Sequence, residues 1–102
     1  MAAKILQINF KFSVSKDDYR QAAASLASAF AEVEGLRWKI WTIDEAQSMA
    51  GGVYLFDDEP SLTRFLESPL ADQVRSHPAF TEMSASSFDI VADATTATRG
   101  PV

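Results

Sequence analysis

The chain has 102 residues, enough for one domain and too few for two. Fourteen acidic against nine basic residues leave a net charge of −5, the wrong sign for gripping a phosphate backbone, so no nucleic acid partner is expected. With no cysteine, thiol catalysis, disulfides and Cys-ligated metal centres are excluded, while 47% hydrophobic residues describe an ordinary folded globule.

In residues 4–12, KILQINFKF, Leu6, Ile8, Phe10 and Phe12 share one parity and Ile5, Gln7, Asn9 and Lys11 the other, which predicts a strand with two unlike faces. Ser15 followed by Lys16, Asp17 and Asp18 is a capped helix start, and Tyr19, Ala22, Ala23, Leu26, Phe30 and Val33 recur at helical spacing. The first helix is expected over about 16–34, stopped by Gly35 in the left-handed conformation. LRWKIWTI is rich in aromatic and β-branched residues and predicts a second strand over 36–43. A polar turn, residues 44–50, then leads to Gly51-Gly52 and a third strand over 51–57, the two forming a hairpin.

Asp57, Asp58, Glu59 and Pro60 open a second helix over about 60–67 whose buried stripe is Leu62, Phe65 and Leu66. Ser68-Pro69 repeats that signature for a short helix over 69–76, which His77-Pro78 stops. FTEMSASSFDIV, 80–91, is the last strand, and from residue 92 no apolar period remains. The domain is accordingly taken as residues 1–93, with 94–102 a flexible C-terminal tail. The order strand, helix, strand, strand, helix, strand specifies an α+β, ferredoxin-like βαββαβ fold with a four-stranded antiparallel sheet and helices on one face. In the hairpin Tyr54 and Phe56 alternate with Val53 and Leu55, and Trp38 and Trp41 fall on opposite parities, so both faces are apolar. The helix-free face, expected to carry Tyr54 and Phe56, calls for a second copy laid sheet to sheet.

Phosphate-cradling glycine motifs, a GxSxG elbow and an HExxH helix are all missing, and His77 is the single histidine. A multi-histidine metal site within one chain is therefore excluded, and His77 itself reads as a helix-end cap. Asp57, Asp58 and Glu59 read as helix-start acids rather than as acid/base catalysts. No basic leader runs into an apolar stretch and no segment is long and apolar enough to span a bilayer, so a cytoplasmic protein without membrane association is the expectation.

Three stretches, ILQINFKF, EGLRWKIWTIDE and AGGVYLFDDEPSLTRFL, together resemble the YdhR-like family of monooxygenases, a branch of the dimeric α+β barrel superfamily that includes the antibiotic-biosynthesis-type monooxygenases. The resemblance runs from residue 4 to about 90. It implies a homodimer, two sheets facing each other around a mostly apolar cavity, and oxygen insertion into a small aromatic, quinol- or polyphenol-like substrate with no cofactor, the substrate anion itself passing an electron to dioxygen. The family's Trp before the second helix falls on Phe56, and its Asn on Gly52, so both residues differ here. Within that frame Asn9 and Tyr54 are the candidate catalytic groups: Asn9 as a hydrogen-bond partner for developing phenolate charge, Tyr54 as a proton relay. Gln7, Lys11, Trp38, Lys39, Trp41 and Phe56 are the candidate substrate-binding residues. Two alternatives stand beside this reading: a non-catalytic dimeric small-molecule-binding or stress-response module, and a haem-degrading monooxygenase using Asn9 and His77.

Overall fold

The computed structural model describes residues 2–102. Their order is β1 (Lys4–Phe12), α1 (Lys16–Ala31), β2 (Leu36–Asp44), β3 (Met49–Phe56), α2 (Glu59–Leu66), α3 (Pro69–Arg75), β4 (Phe80–Asp89) and α4 (Ala92–Ala97). All three strand pairings are antiparallel and the sheet runs β2-β3-β1-β4, the expected ferredoxin-like arrangement with a further short helix at the end. No helix among the described residues is long and apolar enough to cross a membrane.

Local chemistry sets the helix ends. Ser15 Oγ accepts from the Asp18 N–H, Asp58 Oδ1 from that of Ser61, and Ser68 Oγ from that of Ala71, each satisfying a donor that a first turn leaves free. Gly35 takes a φ of +84° after α1, as expected, and α1 ends at Ala31, three residues earlier than its apolar period suggests. The acids before α2 are accounted for in the same terms: Asp57 pairs with Arg37 at 2.6 Å and Asp58 is the cap. His77 follows α3, where its Nδ1 accepts from the Ala79 N–H at 3.1 Å and its ring stacks on Phe80.

The core lies between the sheet and α1–α3. Leu6, Ile8, Phe10 and Phe12 of β1 meet Tyr19 and Phe30 of α1, Leu62 and Phe65 of α2, and Ala71 and Val74 of α3. Register then decides which parity of β3 joins them. Leu6 stands opposite Tyr54 and Lys4 opposite Phe56, so Tyr54 and Phe56 point toward the helices, at 3% and 0% exposure. This corrects the expectation that they face away. The helix-free face carries instead an apolar row that crosses all four strands, Trp38, Leu55, Ile5 and Phe88, then a row of Ile40, Val53, Gln7 and Ser86, then Thr42, Gly51, Asn9 and Ser84.

The C-terminal segment has two structural features. Residues Ala92–Ala97 form α4, with no buried side chain, and the Pro101 carbonyl accepts from the Trp38 indole N–H at 2.8 Å. That bond brings the chain's end back to β2, the strand farthest from β4.

Candidate functional site

Two cavities lie side by side between the sheet and its helices, within one chain. The larger, about 320 Å³, has a sheet floor of Ile8, Tyr54, Met83 and Ala85 and a roof of Phe65, Leu66, Ala71, Val74 and Arg75. The smaller, about 20 Å³, is a water-sized space under α1 bounded by Phe30, Lys39, Trp41 and Tyr54 among others. Tyr54 and Val74 border both, so they form the partition between the two.

The register explains which side chains gather here. On the helix face one row across the sheet reads Lys39, Tyr54, Leu6, and the next reads Trp41, Gly52, Ile8, Ala85. A bulge at Arg37 precedes this: Leu36 stands opposite Phe56 but Trp38 opposite Leu55, and the extra residue sends Lys39 inward and Trp38 outward. Gly52 then leaves the room Lys39 occupies, because a Cβ on it would come within 2.7 Å of Lys39 Cε. Arg75, whose guanidinium donates to the Leu66 carbonyl at 2.9 Å and also bonds Asp72, puts a fixed positive charge at the larger cavity's edge.

Lys39 is unlike the other lysines. Lys4, Lys11 and Lys16 are each paired with a carboxylate, to Asp89, Glu82 and Glu45 respectively, while Lys39 has no ion pair among the described residues. Its Nζ lies instead 3.3 Å from the ring centre of Trp41, 3.6 Å from that of Phe30 and 4.7 Å from that of Tyr54. Aromatic faces attract an ammonium, yet three rings do not replace its lost hydration, and burial pushes Lys39 down from 10.5 to about 7. The same burial, aided by Tyr19, pushes the Tyr54 hydroxyl well above the ordinary tyrosine range. Near neutrality Tyr54 therefore donates a proton in a hydrogen bond but does not take one away. Lys39 is divided between amine and ammonium.

Of the eight residues singled out from the sequence, Tyr54, Lys39 and Trp41 meet at this site. Phe56 is behind them, its ring parallel to that of Tyr54 and fully enclosed, and borders neither cavity. Gln7, Asn9, Lys11 and Trp38 are on the other face of the sheet: Asn9 is half-buried opposite Gly51 and Ser84, Lys11 pairs with Glu82 at 3.6 Å, and Trp38 is tied to Pro101. Asn9 and Tyr54 thus cannot touch one molecule inside a single chain, which corrects their pairing as joint catalytic groups. Phe30, Val74 and Arg75 were not singled out. The glycine pair was the available signal, since a glycine within a strand marks a place where something passes close to the backbone. Among the described residues no group of three metal-ligating side chains assembles anywhere.

The family model described as "Putative mono-oxygenase ydhR" matches residues 5–101. No curated protein matches at a significant level. Among solved structures, SnoaB, a cofactor-independent oxygenase from Streptomyces nogalater, superposes with a TM-score of 0.72 at 13% identity, over 88% of this chain and 94% of that one. A Nitrosomonas europaea protein of unknown function gives 0.74 at 14% identity, covering 90% of this chain and 92% of its own. An antibiotic biosynthesis monooxygenase homologue from Deinococcus radiodurans gives 0.68 at 16%, covering 85% and 91%. At such identities the likeness is one of fold.

Proposed function

Because this chain belongs to the ydhR mono-oxygenase family, we propose that it oxidises a small aromatic substrate of the quinol or polyphenol class, without metal, flavin or haem, in the cavity beneath its helices. The observation that carries the reading is the cavity of about 320 Å³ whose inner wall is Tyr54, with Lys39 and its aromatic surround just beyond. Apolar walls with a few convergent polar groups suit a planar ring bearing a hydroxyl. A phenol with a free ring position and dioxygen give a quinone and water, so the substrate supplies every electron and the protein's tasks are to bind it, ionise it and keep bulk water away. Tyr54, held protonated, donates to the oxygen on which charge develops, and Phe65 and Leu66 wall the ring. The donor set offers little to hold a metal: no cysteine, one histidine, and no group of three metal-ligating side chains among the described residues.

A homodimer belongs to the same proposal. Two copies joined by their helix-free faces would cover Ile40 and Phe88, which are 53% and 49% exposed, and would place Gln7, Asn9, Lys11 and Trp38 at the join rather than on substrate. The haem alternative has little support, because His77 Nδ1 already accepts the Ala79 N–H and its ring lies flat on Phe80.

Oxygen uptake on a panel of quinols tests the main reading against a non-catalytic binding module. Turnover that resists a metal chelator is the expected result. Tyr54→Phe should lower it roughly ten- to a thousandfold, the span for losing one positioned donor. Absence of uptake with every quinol, or its loss on chelation, would refute the reading.

A further inference from the structure

Resting on the proposal that the cavity holds a phenolic ring, we infer that Lys39 is the general base of the site: its neutral amine takes the proton from the substrate hydroxyl, and the ammonium so formed stays beside the phenolate as its counter-ion. In this step the substrate O–H bond breaks, an N–H bond forms on Nζ, and no proton leaves for bulk water.

Four observations converge on it. Lys39 is the lysine without a carboxylate partner among the described residues, whereas Lys4, Lys11 and Lys16 are all paired. Its amine is enclosed by Trp41, Phe30 and Tyr54, which disfavour a permanent charge but present ring faces to one that forms transiently. The small space around Nζ adjoins the large cavity across Tyr54 and Val74, so in the proposed step the substrate hydroxyl sits at the Tyr54 edge, where the two spaces meet. Gly52, by lacking a Cβ, leaves the room in which the aliphatic stem lies.

The groups around Lys39 leave it the one that changes charge near neutrality. From β3 it is faced by Tyr54 and from α1 by Tyr19, both phenols that burial makes harder to ionise. On α3 the charged group is Arg75, which borders the larger cavity, stays cationic and is paired with Asp72. No acid borders either cavity. Burial brings Lys39 itself to about 7, so a neutral amine is present near neutrality, and transfer from the more weakly acidic phenol is drawn forward by the attraction between the phenolate and the ammonium it creates in a water-poor space. After transfer the Lys39 ammonium is the phenolate's counter-ion, with Arg75 and its Asp72 partner at the larger cavity's edge.

The test uses 2-naphthol, whose neutral and ionised forms differ in absorbance and which is mostly neutral in water at about pH 8. Bound to the wild-type protein it should show the naphtholate spectrum. Binding should release no proton, judged by calorimetry in buffers of different ionisation enthalpy, because the proton only moves to Lys39. Lys39→Met should bind it as the neutral form, with at least a tenfold smaller naphtholate fraction. Lys39→Gln repeats the measurement should the methionine variant not fold. Release of about one proton per bound naphtholate would make Lys39 a standing cation and overturn the assignment. A neutral bound form in the wild type would do the same while leaving the cavity reading intact; failure of 2-naphthol to bind at all would overturn both.

Discussion

Lys39 has a cost for the fold that can be measured without any substrate. In the folded chain it releases its proton near pH 7, in the unfolded chain near 10.5, so between those values unfolding takes up a proton. Stability should therefore rise as pH climbs from about 7 toward 10, where the tyrosines begin to ionise in the unfolded chain, and this group should add no slope below 7. Denaturant titrations of Lys39→Met should lose that slope and show a gain of about 2–4 kcal/mol at pH 6, the residual solvent contact having been allowed for. Gly51 is a second residue with a sharp expectation. A Cβ there would lie 1.9 Å from the Ile8 carbonyl oxygen, which belongs to the neighbouring strand and cannot swing aside. Gly51→Ala should destabilise by about 3 kcal/mol or more, read as a shift in the urea midpoint. Its neighbour offers a contrast, since at Gly52 the nearest atom is Lys39 Cε, near the end of a flexible side chain. Lys39 was legible in the sequence as a candidate substrate-binding residue on a strand with two tryptophans. Its enclosure was not, because that depends on the bulge at Arg37 and on a glycine in the adjacent strand.

At the scale of elements, the strands and helices were readable because each carries its own punctuation: Ser15, Asp58 and Ser68 as caps, Gly35 and His77-Pro78 as stops, alternating parity in β1. The facing of β3 was not readable. Val53 and Leu55 are as apolar as Tyr54 and Phe56, so alternation cannot say which pair meets the helices; only the pairing of Leu6 with Tyr54 across the strands decides it. That single parity choice puts Tyr54 and Phe56 beneath one chain's helices instead of on the face expected to meet a second copy. α4 escaped notice for a different reason, as a six-residue helix with no buried side chain leaves no apolar period. The short α3 invites a test of its own. Ser68 Oγ accepts from the Ala71 N–H at 3.2 Å and donates to the Phe65 carbonyl at 2.6 Å, tying the end of α2 to the start of α3. Ser68→Ala should cost about 1 kcal/mol in denaturant titration, and it should weaken ring binding, since Ala71 and Val74 roof the cavity.

For the molecule as a whole, the helix-free face sets the expected assembly. Its row of Trp38, Leu55, Ile5 and Phe88 spans the sheet, and Leu55 is 1% exposed although it is outside the main core. Ile40 and Phe88 remain open beside it, a pattern that association of two copies would complete. Sedimentation equilibrium at micromolar concentration should give twice the chain mass, and Ile40→Asp should shift it toward the single chain. A monomer in the unmodified protein would remove the homodimer from the proposal.

The strand order has a consequence for how the chain is made. β1 is made before the other three strands yet is an inner strand, and its two neighbours are β3 and β4, the latter ending at Asp89. Until β4 has been made, one long edge of β1 has no partner, and Ile8 and Phe10 lack part of their cover. Synthesis at ~5–20 residues per second leaves that edge open for several seconds in every newborn copy. Nascent chains stalled before residue 80 should consequently recruit holding chaperones that chains stalled after the last strand has cleared the exit tunnel do not.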